Sequence, residues 1–180
     1  STIPISLLTE GMPKNFCERF AITHFFNPVR FMRLLELVKG EQTRQDVMHT
    51  LDVFCESMLG KGVVPCSDTP GFLANRVGVF AIQCALHKAF KYNLSPIEAD
   101  AFFGRPLGLP KTGVFGLYDL IGIDLMADVA KSLENILPDN DAFHKYASPI
   151  EFVSNMIAKG QTGNKNEQGF YKQDRSEEHT

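Results

Sequence analysis

The sequence predicts an α/β segment followed by a mostly α-helical segment. In the first part, two short apolar runs of strand length flank a stretch with helical spacing, an alternation that is typical of an α/β layer. From residue 72 onward the apolar residues recur mainly at helical spacing. The cluster Asp68-Thr69-Pro70-Gly71 separates the two parts and is typical of a turn or hinge. We therefore expect an incomplete α/β domain over residues 1–66 and a helical domain over residues 67–172.

The first part contains three predicted strands and one predicted helix. The strands are expected at 19–26, 34–38 and 63–66. The helix is expected at 43–59, because apolar residues recur there at steps of three and four and Thr43 is a suitable N-cap. Because three strands are too few for a complete doubly wound sheet, we expect this part to be the end of such a sheet.

The second part contains several predicted helices. Residues 72–90 are apolar on nearly every side, which predicts a central buried helix. Two stretches, Ser95-Pro96-Ile97-Glu98 and Ser148-Pro149-Ile150-Glu151, have the pattern of a capping box with proline at the first helical position. Further helix is expected at 114–136, with an interruption near Gly122.

Composition excludes several classes of protein. The 180 residues carry a formal charge of −3 and 44% apolar side chains, and the basic residues are scattered, so no nucleic-acid partner is expected. No apolar run is long enough to span a membrane, and the first residues lack the pattern of a signal peptide, so the expected location is the cytoplasm, or a mitochondrial or peroxisomal matrix in a eukaryote. Four separated cysteines without a Cys-x-x-Cys pattern predict neither a zinc site nor a disulfide framework. Residues 173–180 are polar without an apolar period, and we expect a disordered or artefactual tail.

Glu36 and His24 are the leading candidates for chemistry. Glu36 lies inside the apolar run 34–38, where a carboxylate is costly to bury unless it is paired. His24 precedes a turn and is a suitable partner, because a carboxylate that binds one imidazole nitrogen fixes the tautomer of a general base. A histidine at a strand end with only a structural role is the alternative.

Asn75 and Lys165 are weaker candidates. Asn75 lies in an otherwise apolar helical run, where its amide is either functional or serves as a cap or an inter-helix hydrogen-bond partner. Lys165 lies in a polar, glycine-flanked segment, where a solvated charge is the default and a phosphate contact is the alternative. The sequence contains no Gly-x-Gly-x-x-Gly or Walker-type loop, so these residues alone do not indicate a nucleotide.

Several uncommon strings, taken in order, resemble the 3-hydroxyacyl-CoA dehydrogenase family. They are Arg19-Phe20, His24-Phe25-Phe26-Asn27-Pro28, Leu35-Glu36-Leu37-Val38, Asp68-Thr69-Pro70-Gly71-Phe72 with Asn75-Arg76, and Gly169-Phe170-Tyr171-Lys172. The resemblance implies the end of a Rossmann-type NAD-binding domain, followed by a helical domain like the C-terminal domain of 6-phosphogluconate dehydrogenase. It implies an oxidoreductase of fatty acid β-oxidation that converts 3-hydroxyacyl-CoA to 3-oxoacyl-CoA with NAD, and a homodimer formed through the helical domain.

The resemblance also implies roles for individual residues. His24 becomes the general base and Glu36 its carboxylate partner, while Asn75 lies near the substrate oxygen. Ser1 becomes a serine that reaches both substrate and cofactor, and Asn27 and Lys165 take positions toward NAD. Because the Gly-rich fingerprint is absent, we expect the chain to be a fragment that is inactive alone.

Two alternatives remain open. The chain could be a non-catalytic helical module for dimerisation or interaction, or part of a multifunctional hydratase–dehydrogenase. Acyl-CoA binding and turnover distinguish the first alternative from an enzyme, and the sequence of the parent chain decides the second.

Overall fold

The computed structural model describes residues 3–107 and 111–172. The predicted roles of Ser1 and the predicted tail at 173–180 lie outside the described residues. The chain divides into two compact units, Ser1–Val77 and Gly78–Thr180.

The first unit contains a three-stranded sheet. Its strands are β1 (Ala21–Phe25), β2 (Leu34–Lys39) and β3 (Gly62–Ser67), in the order β1-β2-β3. β1 runs antiparallel to β2, and β2 runs parallel to β3 through the connecting helix α3 (Gln45–Ser57). The three strands and the helix predicted from the pattern are therefore confirmed, with boundaries that differ by one or two residues.

Each face of this sheet carries its own apolar cluster. Leu35 and Leu37 pack with Met48 and Cys55 of α3. Because side chains alternate along a strand, Glu36 and Val38 point to the opposite face, where Val38 packs with Ile5 and Phe72. Ile5 begins a short helix, α1 (Ile5–Leu8), and a second short helix, α2 (Lys14–Cys17), follows before β1.

The prediction that Thr43 caps α3 is wrong. The N-cap residue is Arg44, and it makes no side-chain capping bond. The Thr43 hydroxyl instead donates to the carbonyl oxygen of Phe20 at 2.6 Å and accepts the N–H of Gly40 at 2.9 Å. Thr43 is buried, and a buried hydroxyl must find partners wherever the fold supplies them.

The second unit is helical. Its helices are α4 (Ala74–Lys91, which begins in the first unit), α5 (Pro96–Phe102), α6 (Phe115–Ile121), α7 (Ile123–Ile136) and α8 (Glu151–Ala158). Short 3₁₀ turns lie at Arg105–Leu107, Ala142–Tyr146 and Asn164–Asn166. The predicted interruption near Gly122 is confirmed, since this residue has a φ of 112° and separates α6 from α7.

Helix α4 is less buried than its sequence predicts. Gln83, Leu86 and Ala89 lie in the interior, whereas Val77 and Ala81 are exposed. The helix therefore has one buried face, although its composition is apolar on nearly every side.

Only one of the two predicted capping boxes forms. The Ser95 hydroxyl accepts the N–H of Glu98, and the Glu98 carboxylate accepts the N–H of Ser95 at 2.9 Å. The box predicted at Ser148–Glu151 is wrong, because the backbone at Ile150 is extended and α8 begins only at Glu151. Ile150 is thus the N-cap residue, and its side chain has no capping atom.

Two aspartates form hydrogen bonds with residues 170 and 171, near the end of the described chain. Asp119 on α6 accepts the N–H groups of Phe170 and Tyr171, at 2.9 and 2.8 Å. Asp100 accepts the hydroxyl of Tyr171 at 2.8 Å and three N–H groups at the start of α6.

Within the described residues, no helix has both the length and the apolar character needed to cross a lipid bilayer.

Candidate active site

His24 and Glu36 form a hydrogen-bonded pair in the first unit. They lie directly opposite each other in the antiparallel ladder of β1 and β2, and the His24 Nδ1 atom is 2.7 Å from Glu36 Oε2. Residues opposite each other in such a ladder carry side chains on the same face. The sequence predicted that Glu36, a carboxylate in an apolar run, pairs with His24, and this hydrogen bond is present in the structure.

Glu36 is completely buried, and its carboxylate accepts hydrogen bonds from one side chain and two backbone N–H groups as well as a weaker one from a thiol. While Oε2 faces His24, Oε1 lies 2.9 Å from the N–H nitrogen of Leu73 and 2.6 Å from that of Ala74. The first N–H groups of a helix have no partner within the helix, and here the start of α4 directs them at a carboxylate. Donors placed in this way stabilise the ionised form, which offsets the cost of burying the charge.

The pair sets the tautomer of the imidazole. An ionised carboxylate can only accept a hydrogen bond, so Nδ1 of His24 carries a proton. In the neutral ring Nε2 is then the unprotonated nitrogen and the atom that can take a proton. Such an arrangement is chemically able to take up a proton, as a general base held by a carboxylate does.

Two aromatic rings flank the imidazole. The ring centroid of Phe26 lies 4.8 Å from that of His24 and the centroid of Phe72 lies 5.5 Å from it, both in edge-to-face geometry. The His24 side chain keeps 18% of its surface exposed, whereas that of Glu36 keeps 1%. The imidazole is thus partly accessible while its partner is sealed off.

Cys66 on β3 also contacts the carboxylate. Its Sγ atom lies 3.7 Å from Glu36 Oε1. Burial, together with the negative charge of Glu36, raises the pKa of this thiol. The thiol therefore stays protonated and serves as a weak donor to Glu36. Because only a thiolate is a good nucleophile, Cys66 is not a candidate for that role.

The other predicted site residues lie in three places. Asn75 is in the first turn of α4, immediately after Ala74, so it shares the local backbone that holds Glu36. Asn27 is exposed just beyond the carboxyl end of β1. Lys165 lies in the second unit and forms an ion pair with Asp124, with N–O distances of 2.5 and 2.7 Å. Lys165 also lowers the pKa of that aspartate through a side-chain hydrogen bond.

The sequence reasoning missed the groups that hold Glu36. These are the N–H groups of Leu73 and Ala74, the thiol of Cys66 and the flanking rings. A signal was available, because Pro70-Gly71 marks a turn directly before a helix, and a helix start offers unpaired N–H groups to an anion.

Comparison with family models identifies both parts of the chain. Residues 1–69 match the model described as 3-hydroxyacyl-CoA dehydrogenase, NAD binding domain. Residues 71–173 match the model described as 3-hydroxyacyl-CoA dehydrogenase, C-terminal domain. Together the two matches define the class of protein as an NAD-binding dehydrogenase. The chain belongs to the 3-hydroxyacyl-CoA dehydrogenase family.

Two curated relatives match nearly the whole of this chain. The chain is 40% identical over 177 residues to a probable 3-hydroxyacyl-CoA dehydrogenase of Deinococcus radiodurans, covering 98% of this chain and 50% of the relative. It is 45% identical over 172 residues to a putative fatty acid oxidation complex trifunctional enzyme of Rickettsia prowazekii, covering 96% of this chain and 24% of the relative. The chain thus spans half or less of the length of these two relatives.

Solved structures share the fold. The (S)-3-hydroxybutyryl-CoA dehydrogenase of Ralstonia eutropha matches with a TM-score of 0.82 and 30% identity, covering 97% of this chain and 59% of that chain. The 3-hydroxybutyryl-CoA dehydrogenase of Escherichia coli matches with a TM-score of 0.75 and 30% identity, covering 98% and 36%. The expected fold class, a Rossmann-type segment followed by a helical domain, is confirmed.

Proposed function

We propose that this chain supplies the catalytic base for an NAD-dependent oxidation of 3-hydroxyacyl-CoA to 3-oxoacyl-CoA, a step of fatty acid β-oxidation. The hydrogen bond of 2.7 Å between His24 and the buried Glu36 carries the proposal. Oxidation of a secondary alcohol removes one hydrogen as a proton from oxygen and the other, with its electron pair, from carbon. Only the proton needs a base, and a neutral imidazole suits that role near neutral pH.

The residues of this chain have separate roles in the proposal. His24 takes the hydroxyl proton at Nε2, and the negative charge of Glu36 stabilises the imidazolium that results. Asn75, in the first turn of α4 next to Ala74, binds the substrate oxygen through its amide in this proposal. Ser1 is also proposed to reach both substrate and cofactor, on the resemblance alone.

The residues proposed for NAD fit such a ligand in their chemistry. Asn27 is exposed two residues after the end of β1, and its amide can both donate and accept a hydrogen bond. Lys165 offers a cation to a phosphate, although it is already paired with Asp124. When bound, NAD supplies the acceptor for the hydrogen that leaves carbon.

The test is activity of a chimera. The part of the Deinococcus radiodurans relative that this chain does not match is fused to the chain in the order that the relative has. Oxidation of 3-hydroxybutyryl-CoA is then followed by the absorbance of NADH. We expect turnover by the chimera and none by the 180-residue chain alone. Turnover by the chain alone contradicts the proposed inactivity of the fragment.

The base assignment is tested in the same chimera. His24→Gln removes the proton acceptor and should lower kcat by about 10²–10⁴-fold. His49→Gln is the matched control, because His49 is exposed on α3, and it should leave kcat unchanged. Retention of nearly full activity by His24→Gln contradicts the role of His24. A chimera that binds no acyl-CoA and remains inactive favours a non-catalytic interaction module instead.

We also propose a homodimer through the helical unit, located in the cytoplasm or an organelle matrix. Supporting the dimer, that unit exposes the large apolar side chains of Ile97, Phe102, Leu120 and Phe152, and exposed apolar groups favour association. Sedimentation of the chimera at two concentrations tests the dimer, and a monomer at both contradicts it.

A further inference from the structure

Phe72 has an unusual backbone conformation for a bulky residue. Its φ is +49°, in the left-handed region, and it follows Gly71, whose φ is +75°. A large side chain in this region is uncommon and is retained only where its surroundings hold it there. Phe72 is held by burial, since only 4% of it is exposed and it packs with Ile5 and Val38. Its N–H also donates to the carbonyl oxygen of Thr69 at 2.9 Å.

This conformation directs the next two N–H groups at Glu36. The nitrogens of Leu73 and Ala74 both approach Oε1, at 2.9 and 2.6 Å. Successive N–H groups that converge after a left-handed residue form a concave anion-binding site. The orientation of Glu36 toward His24 therefore depends on the turn at Phe72.

The ring of the same residue contacts the base directly. The Phe72 and His24 rings meet edge to face at 64°, with their centroids 5.5 Å apart. Phe26 lies against the imidazole at 4.8 Å and 69°. Contacts to two rings restrict rotation of the imidazole away from the carboxylate.

We propose that Phe72 is a positioning residue for the His24–Glu36 pair: its left-handed backbone aims two N–H groups at Glu36, and its ring restricts His24. The catalytic consequence rests on the proposed function, whereas the geometric consequence does not. A glycine would suit the backbone but lacks the ring, so both properties together need an aromatic residue at this position.

The geometric test uses nuclear magnetic resonance on the 180-residue chain. Phe72→Leu keeps apolar bulk and removes the ring, so the His24 Nδ1 proton should exchange with solvent up to about tenfold faster. The exchange of the Leu73 and Ala74 amide protons is measured in the same variant, and little change there shows that the left-handed backbone is retained. Phe31→Leu is the matched control, since Phe31 is 77% exposed in the same unit.

Two results would overturn the proposal. One is an unchanged exchange rate of the His24 proton in Phe72→Leu. The other is the absence, in the unsubstituted chain, of a nuclear Overhauser effect between the Phe72 and His24 rings, which decides the question even if the variant does not fold.

Activity of the chimera adds a separate readout. Phe72→Leu should lower kcat and leave KM nearly unchanged, because the ring orients the base rather than the substrate. If the unsubstituted chimera is inactive, the proposed function fails, while the exchange measurement on the chain still decides the role of Phe72. An unchanged kcat in an active chimera contradicts the catalytic part of this proposal.

Discussion

Gly169 has no room for a side chain, and a single methyl group there should be strongly destabilising. A Cβ atom at this position would lie 2.1 Å from Oδ1 and 2.4 Å from Cγ of Asp119. Asp119 is 2% exposed and lies on α6, so the carboxylate has little room to move. Gly169→Ala therefore has to displace either Asp119 or the chain end that it holds.

The cost follows from the hydrogen bonds that are lost. Asp119 accepts the N–H groups of Phe170 and Tyr171, and a hydrogen bond to a charged group contributes about 1.5–3 kcal/mol. The loss of both gives about 3–6 kcal/mol, a large part of the 5–15 kcal/mol that is typical of a whole domain. For a unit of about 100 residues this lowers Tm by about 12 °C or more.

The assay can be confined to this unit. The four tyrosines, Tyr92, Tyr118, Tyr146 and Tyr171, all lie in the second unit, and the sequence contains no tryptophan. Tyrosine fluorescence during urea unfolding therefore reports on the helical unit.

A second glycine provides the matched control. Gly78 lies in α4, and a Cβ atom there meets nothing within 4 Å. Gly78→Ala should therefore raise the free energy of unfolding by about 0.5–1 kcal/mol, because alanine loses less backbone entropy in a helix. A loss below about 1 kcal/mol for Gly169→Ala would refute the reasoning, since it falls short of even one charged hydrogen bond.

Three further predictions concern charges and a cap. Burial raises the pKa of Asp119 above its ordinary value, so in the folded state this carboxyl keeps its proton to a higher pH than in the unfolded state. The free energy of unfolding should therefore fall as the pH rises from the unfolded-state pKa of Asp119 through its folded-state pKa. In urea titrations at several pH values, Asp119→Asn should lack this slope, and an identical slope would contradict it. Lys165→Met breaks an exposed ion pair with Asp124 and should change the free energy of unfolding by less than about 1 kcal/mol. In the chimera the same change should raise the KM for NAD, and an unchanged KM argues against the proposed cofactor role of Lys165. Ser95→Ala removes the cap that bonds with Glu98 and should cost about 1 kcal/mol in thermal unfolding, and a cost near zero would contradict its contribution.

Local pattern was sufficient for most elements and for the central pair. Strand-length apolar runs predicted β1, β2 and β3, and the helical period predicted α3, because both patterns reflect which side of the backbone is buried. The pairing of His24 with Glu36 was predictable because a buried carboxylate requires a partner, and the resemblance assigned the roles.

Local pattern failed where a polar side chain had a choice of partners. Thr43 fits an N-cap by type, yet its hydroxyl bonds with Phe20 and Gly40. Ser148 fits a capping box, yet the extended backbone at Ile150 starts the helix at Glu151. A hydroxyl serves a cap or a distant carbonyl equally well, and the sequence does not indicate which one the fold brings within reach.

The amino-acid sequence by itself determined the order of β1, β2, α3 and β3, the need of Glu36 for a partner, and the resemblance to a dehydrogenase family, but it did not predict the short helices α1 and α2. Tertiary structure alone decided which N–H groups reach Glu36 and which chain end Asp119 holds, because the donors lie 37 and 38 residues away in the first case and 51 and 52 in the second. Hydrogen bonds over such separations depend on how the elements pack, and packing is set by many weak contacts together rather than by any local pattern.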